Sequence, residues 1–156
     1  MAKLALYFAT ALAVVAIVLI GMMIISLKAD ARFYKASAMV FVSAPQGRMI
    51  DASVWRACRR AAESDAVAQE AIERLDVSTT PEDLLGRTDG EWVENTQFFK
   101  VSYIDANPQR AQRGANTMGE LVSERCVDWA SPQSGLSAFV WRRARIPKEP
   151  VGTLLL

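Results

Sequence analysis

Leu4 to Leu27 is a near-unbroken apolar run. Only Thr10, Gly21 and Ser26 fall outside the apolar set, so 21 of its 24 residues are apolar and none is charged. At about 1.5 Å per residue, a helix of that length measures roughly 36 Å, enough to cross a hydrocarbon core of about 30 Å. Ala29-Asp30-Ala31 has the small-x-small form of a signal-peptide cleavage site. Signal-peptide cores run to only about 7–15 residues, however, so a retained transmembrane helix is expected over 4–27 with residues 1–3 as its flank. Ala2, Ala5, Ala9, Ala13 and Ala16 form a small-xxx-small stripe along that helix. In lipid, helices associate through close backbone approach along such side chains, which makes the stripe a candidate helix-packing face.

Beyond Lys28 the pattern changes to that of a water-soluble domain, expected over 28–146. Tyr34, Ala36, Ala38, Val40 and Val42 alternate with Lys35, Ser37, Met39 and Phe41, the period of a strand. Ile50 to about Leu75 reads as helix interrupted near Ser64-Asp65. Val54, Cys58 and Ala61 share one face of its first half, with Arg56, Arg59 and Arg60 elsewhere. In the second half Val67, Ala68, Ala71, Ile72 and Leu75 form a buried stripe, and Ser64 is the expected N-cap. Thr80-Pro81-Glu82-Asp83-Leu84-Leu85-Gly86 predicts a short helix with a capping threonine, a leading proline, first-turn acids and a glycine stop. Arg87 to Asn95 reads as a polar loop. Thr96 to Ile104, apolar on both faces, predicts an interior strand. Asn107 and Pro108 then open a long helix whose buried side is expected to carry Ala111, Ala115, Met118, Val122, Cys126 and Trp129. Leu136 to Ile146 alternates as a third strand, and Pro147 and Pro150 begin a proline-containing apolar tail over 147–156. The expected fold class is therefore α/β (α+β): a small mixed-sheet domain with helices packed on it, in the order β-α-α-α-β-α-β.

Charge narrows the function. Every acidic residue, and every basic one except Lys3, lies from Lys28 onward, where seventeen of each balance. A strongly basic nucleic-acid binder is excluded on that balance, and no nucleic-acid partner is expected. The chain has no histidine, which removes the usual general base and the commonest zinc ligand. Glu82-Asp83 and Asp89-Gly90-Glu91 sit in a helix first turn and a polar stretch, where acids belong for dipole and solubility reasons. No catalytic, cofactor or metal residues are expected.

Two features carry other chemistry. Cys58 and Cys126 fall on predicted buried faces. A disulfide between them would close a loop of about 67 residues, worth about 4 kcal/mol in the chain-entropy model; two separate buried thiols fit the pattern equally. Trp141-Arg142-Arg143-Ala144-Arg145 with Lys148 is the one basic cluster in the linear sequence. Arg142, Arg143, Arg145 and Lys148 precede an apolar terminus, so contact with membrane lipid is weighed against a solvated sheet edge.

The segment Phe33-Tyr34-Lys35-Ala36-Ser37-Ala38 directly after the apolar run, Ser78 to Leu85, the passage Phe99 to Ala111 with its Asp105-Ala106-Asn107-Pro108, Gly114-Ala115-Asn116, and Ala144 to Pro150 together resemble the Wzz family of polysaccharide chain-length determinants, or polysaccharide co-polymerases. The resemblance implies a bacterial inner-membrane protein with an extracytoplasmic domain. It also implies a homo-oligomer that acts on a lipid-linked glycan polymerase. Counting Lys and Arg on either side of the apolar run would put the domain in the cytoplasm; the resemblance outweighs that narrow margin. Residues 151–156 are far short of the second span such proteins have. The expectation is thus a shortened, one-helix relative that works by assembly, or else a structural subunit of a larger membrane complex.

Overall fold

The period-two pattern of Arg32–Ser43 forms a strand, β1, whose Ala36, Ala38, Val40 and Val42 are buried on one face. Lys35, Ser37, Met39 and Phe41 occupy the other face, half-buried. The computed structural model describes residues 32–45, 50–130 and 135–153. The expected transmembrane helix and its alanine stripe lie outside them. Among the described residues no helix is long and apolar enough to cross a membrane. The chain divides into a body over Phe33–Val151 and a second unit of Met1–Arg32 with Gly152–Leu156.

Four helices follow from local signals. Helix α1 (Ala52–Ala62) is capped by Asp51, whose carboxylate accepts the Ser53 amide at 2.6 Å and the Val54 amide at 3.3 Å. Helix α2 (Asp65–Leu75) starts after Ser64, but the Ser64 side chain makes no capping bond. Its backbone carbonyl instead accepts the Ala68 amide as the first intrahelical bond. Helix α3 (Pro81–Leu85) has the expected Thr80 cap, with the Asp83 amide donating to Oγ1 at 3.2 Å. Helix α4 (Pro108–Ala130) is capped by Asn107, which accepts the Gln109 and Arg110 amides.

The strand expected over Thr96 to Ile104 is β3 (Phe98–Asp105). The stretch expected as a polar loop contains a further strand, β2 (Thr88–Trp92), paired antiparallel to β3 from Thr88 opposite Tyr103 to Trp92 opposite Phe99. Its polarity misled the reading for a physical reason. Asp89 and Glu91 stand over Lys35 and Lys100 on one face, while Gly90 is needed on the other, since a Cβ there would lie 2.7 Å from that of Ala62. The last strand of the body, β4 (Ser137–Arg142), is shorter than the expected Leu136 to Ile146. Beyond it the ladder gives way to side-chain bonds: the Ala144 amide donates to Asn116 Oδ1 at 2.7 Å, and its carbonyl accepts from Gln112 Nε2 at 3.1 Å. In the second unit Gly152–Thr153 forms a two-residue strand, β5.

The four strands of the body run β2-β3-β1-β4, with every pair among them antiparallel rather than mixed as expected. Helices cover one face. The core joins Val40, Val42, Phe99 and Val101 to Cys58 and Ala61 of α1, Ala68 of α2, and Met118, Leu121 and Val122 of α4. The result is a two-layer α+β domain. Trp129, expected in that core, is 41% exposed at the end of α4. It lies beside Arg56, Arg59 and Arg60 of α1, where the buried stripe of the long helix has run out.

Candidate functional site

Covering only one face of the sheet leaves the other without a helical layer among the described residues. On that outer face, the odd-numbered residues of β1 meet alternate residues of its neighbours, and the surface divides in two. At one end Lys35 pairs with Asp89 at 3.7 Å and Lys100 pairs with Glu91. Lys100 holds the Glu91 carboxyl below the usual carboxylate range by donating to it and by its charge. At the other end Phe41, Phe98, Phe139 and Trp141 gather, with ring centroids 5.4 to 6.3 Å apart and planes tilted by 45 to 59°. Such tilted packing is favourable between aromatic rings. Yet Phe139 remains 46% and Trp141 64% exposed. An exposed cluster of aromatic rings of this kind is a candidate interaction surface.

A second site lies on the opposite side of the domain, between α1 and β2. It is a cleft of about 540 Å³ lined by Trp55, Arg56 and Arg59 from the helix and by Asp89, Gly90, Glu91 and Trp92 from the strand, with Phe99 below. The indoles of Trp55 and Trp92 stack at 5.4 Å, 16° from parallel. Trp55 is buried and Trp92 is 43% exposed. Trp92 Nε1 also donates to the Thr96 carbonyl at 2.9 Å, so its ring is fixed by a stack and an edge hydrogen bond. Arg59 donates to Glu63 at 2.9 Å, whereas Arg56 and Arg60 make no ion pair among the described residues. Arg56, with Arg59 and Arg60 one turn further along α1, thus forms a basic face on the outer side of the helix.

Of the basic cluster read from sequence, one member is paired and the others are exposed. Arg143 donates to Glu120 of α4 at 2.7 Å. Ala144 is buried against α4, and Arg142, Arg145 and Lys148 are exposed. Trp141, embedded in that cluster by sequence, belongs instead to the aromatic patch.

Cys58 of α1 and Cys126 of α4 are joined by a disulfide across 68 positions. Asp105, from the most distinctive of the motifs, is 5% exposed. It accepts the Asn107 amide at 2.7 Å and Arg110 Nε at 2.9 Å, with Arg87 Nη1 at 3.5 Å. Asn116, from the Gly-Ala-Asn run, anchors Ala144. Both residues act as fasteners of the fold. Among the described residues no group of three His, Cys, Asp or Glu side chains is placed to hold a metal ion.

Compared with protein-family models and with curated protein sequences, the chain matches none.

Proposed function

We propose that this chain is a single-pass membrane protein of the bacterial inner membrane, similar to polysaccharide co-polymerases, that acts by assembling with itself at a glycan-assembly complex and not by catalysis. The apolar run over 4–27 is its transmembrane helix, and the domain faces away from the cytoplasm. A disulfide between α1 and α4 favours that side, because such bonds persist in oxidising compartments.

The observation that carries the reading is the aromatic patch of Phe41, Phe98, Phe139 and Trp141 on the helix-free face of the sheet. Its occupant is a second copy of the chain. Four of the charges on the same face come as adjacent opposite pairs, Lys35 with Asp89 and Lys100 with Glu91, while Arg142 stands opposite Met39 beside the aromatics. A copy presenting the same surface meets mostly paired charge, and burying the exposed aromatics supplies the attraction.

Light scattering on the full chain in non-ionic detergent tests this. A defined oligomer is expected, falling to monomer in a Phe139→Asp/Trp141→Glu variant whose circular dichroism is unchanged. A wild-type chain that is strictly monomeric in both detergent and nanodiscs overturns the reading. So does a stable association only with subunits of an energy-transducing or transport complex, which makes the chain an accessory subunit.

A further inference from the structure

We propose that the cleft between α1 and β2 binds an acidic saccharide, a sugar chain bearing carboxylate or phosphate groups. The inference stands on the cleft alone, and goes beyond the self-assembly reading, which rests on the aromatic patch of the outer face.

Three groups converge there. The first is the Trp92 ring. With one side stacked on Trp55 and its nitrogen committed to Thr96, it is held in a fixed orientation while remaining partly exposed. A pre-set indole plane suits the C–H face of a pyranose, and its rigidity lowers the ordering cost of binding.

The second group is backbone. β2 is an edge strand. Ile104 donates to the Arg87 carbonyl at 2.9 Å and Val93 donates to the Phe98 carbonyl at 3.0 Å. By the alternation of an antiparallel ladder, residues 87, 89, 91 and 93 direct their amides and carbonyls to β3. Those of Thr88, Gly90 and Trp92 therefore point along the free edge, where sugar hydroxyls can both donate and accept. Gly90 lies on the cleft wall, where α1 packs so closely that a Cβ would meet Ala62 and Phe99.

The third group is the pair Arg56 and Arg59. Their planar guanidinium forks match carboxylate and phosphate oxygens. Arg56 makes no ion pair among the described residues, whereas Arg59 is shared with Glu63 and feels the charge of Asp89 on the cleft wall, so Arg56 is the more open of the two forks. Asp89 and Glu91 are engaged by Lys35 and Lys100. A volume of about 540 Å³ is in the range of small-molecule and oligosaccharide clefts.

An acidic peptide adding as a strand is the competing occupant. The edge it would need offers the outward groups of only three residues, beside a flat ring that an extended peptide does not use.

Titration calorimetry on the full chain in non-ionic detergent tests the proposal with four probes. These are an oligogalacturonate (carboxylate), a phosphomannan fragment (phosphate), maltohexaose (neutral) and polyglutamate (peptide). Binding is expected for at least one acidic sugar, weaker at higher salt. It should fall about tenfold or more in an Arg56→Gln/Arg59→Gln variant, and also in a Trp92→Leu variant. Both arginines lie on the solvent side of α1, so the double variant should keep the wild-type melting temperature and oligomeric state. Binding of maltohexaose or polyglutamate at equal strength overturns the inference. It is equally overturned if neither acidic sugar binds, or if binding is undiminished in the arginine variant. None of these results touches the oligomer measurement, so the two readings fail separately.

Discussion

Asp105 is buried at the end of β3, where it accepts the Asn107 amide and the Arg110 guanidinium while Arg87 approaches from the start of β2. Removing the carboxylate strips the strand-to-helix passage of its charge-assisted bonds. Asp105→Ala is expected to cost about 2–4 kcal/mol of stability in chemical denaturation, and Asp105→Asn less, since an amide oxygen still accepts. Glu70 illustrates a surface counterpart. Arg125 and Arg74 donate to it, tying α2 to α4 and holding its carboxyl below the ordinary value. Its contribution is complete above the usual carboxylate range and is lost as pH falls through the lowered value. Because the group is partly solvated, Glu70→Gln should lower stability at pH 7 by under about 1 kcal/mol. The gap between variant and wild-type melting temperatures should narrow as pH falls below the usual carboxylate range and close once the carboxyl is protonated. At this scale the sequence was partly legible. Asn107 and Thr80 are visible as caps because their partners lie two or three residues away. Asp105 was visible only as part of a motif, because one of its partners, Arg87, is distant in the chain.

Among the elements, β1 and α4 were the easiest to read, since each buries one face and its periodicity records that burial. Strand β2 was not, because its side chains answer to neighbours and not to its own period: lysines from two other strands call for Asp89 and Glu91, and α1 leaves room only for Gly90. The Trp55–Trp92 pair was hidden for the same reason, its members being 37 positions apart on unrelated patterns. Helix α4 passes Tyr103 so closely that a Cβ on Gly114 would lie 2.3 Å from the phenol ring. Gly114→Ala ordinarily gains up to about 1 kcal/mol in a helix; here overpacking by roughly 1–3 kcal/mol should outweigh it, lowering the melting temperature. Asp76 caps the C-terminus of α2 in a left-handed conformation, φ 53°, with its own amide bonded to Glu73 and that of Val77 to Ile72. Asp76→Gly should therefore stabilise by about 0.5–1 kcal/mol, measured by thermal melting.

For the domain as a whole, the cross-link between Cys58 and Cys126 ties the first helix to the last. A Cys58→Ser/Cys126→Ser variant should lose about 4 kcal/mol by the loop-closure argument, and the wild-type chain should shift in mobility between reducing and non-reducing gels while the variant does not. The fold class and the helix layer could be anticipated because each depends on amphipathic patterns that local sequence records. The antiparallel sheet could not, because strand order is decided by partners far along the chain: β1 pairs with residues 98–105 on one side and 137–142 on the other. Both candidate surfaces depend on that order. The aromatic patch exists only because β4 lies next to β1, and the cleft beside α1 only because β2 is left at an edge.

The amide of Val151 donates to the carbonyl of Phe33 at 2.8 Å, so the polypeptide enters and leaves the folded body at a single corner. A short Gly-Ser bridge between those two positions would need no rearrangement, and the β2–β3 turn at Asn95 is a natural place to cut new ends. A circularly permuted body of that design should fold to the same topology, giving crystallographers and binding assays a compact piece without the apolar run over 4–27.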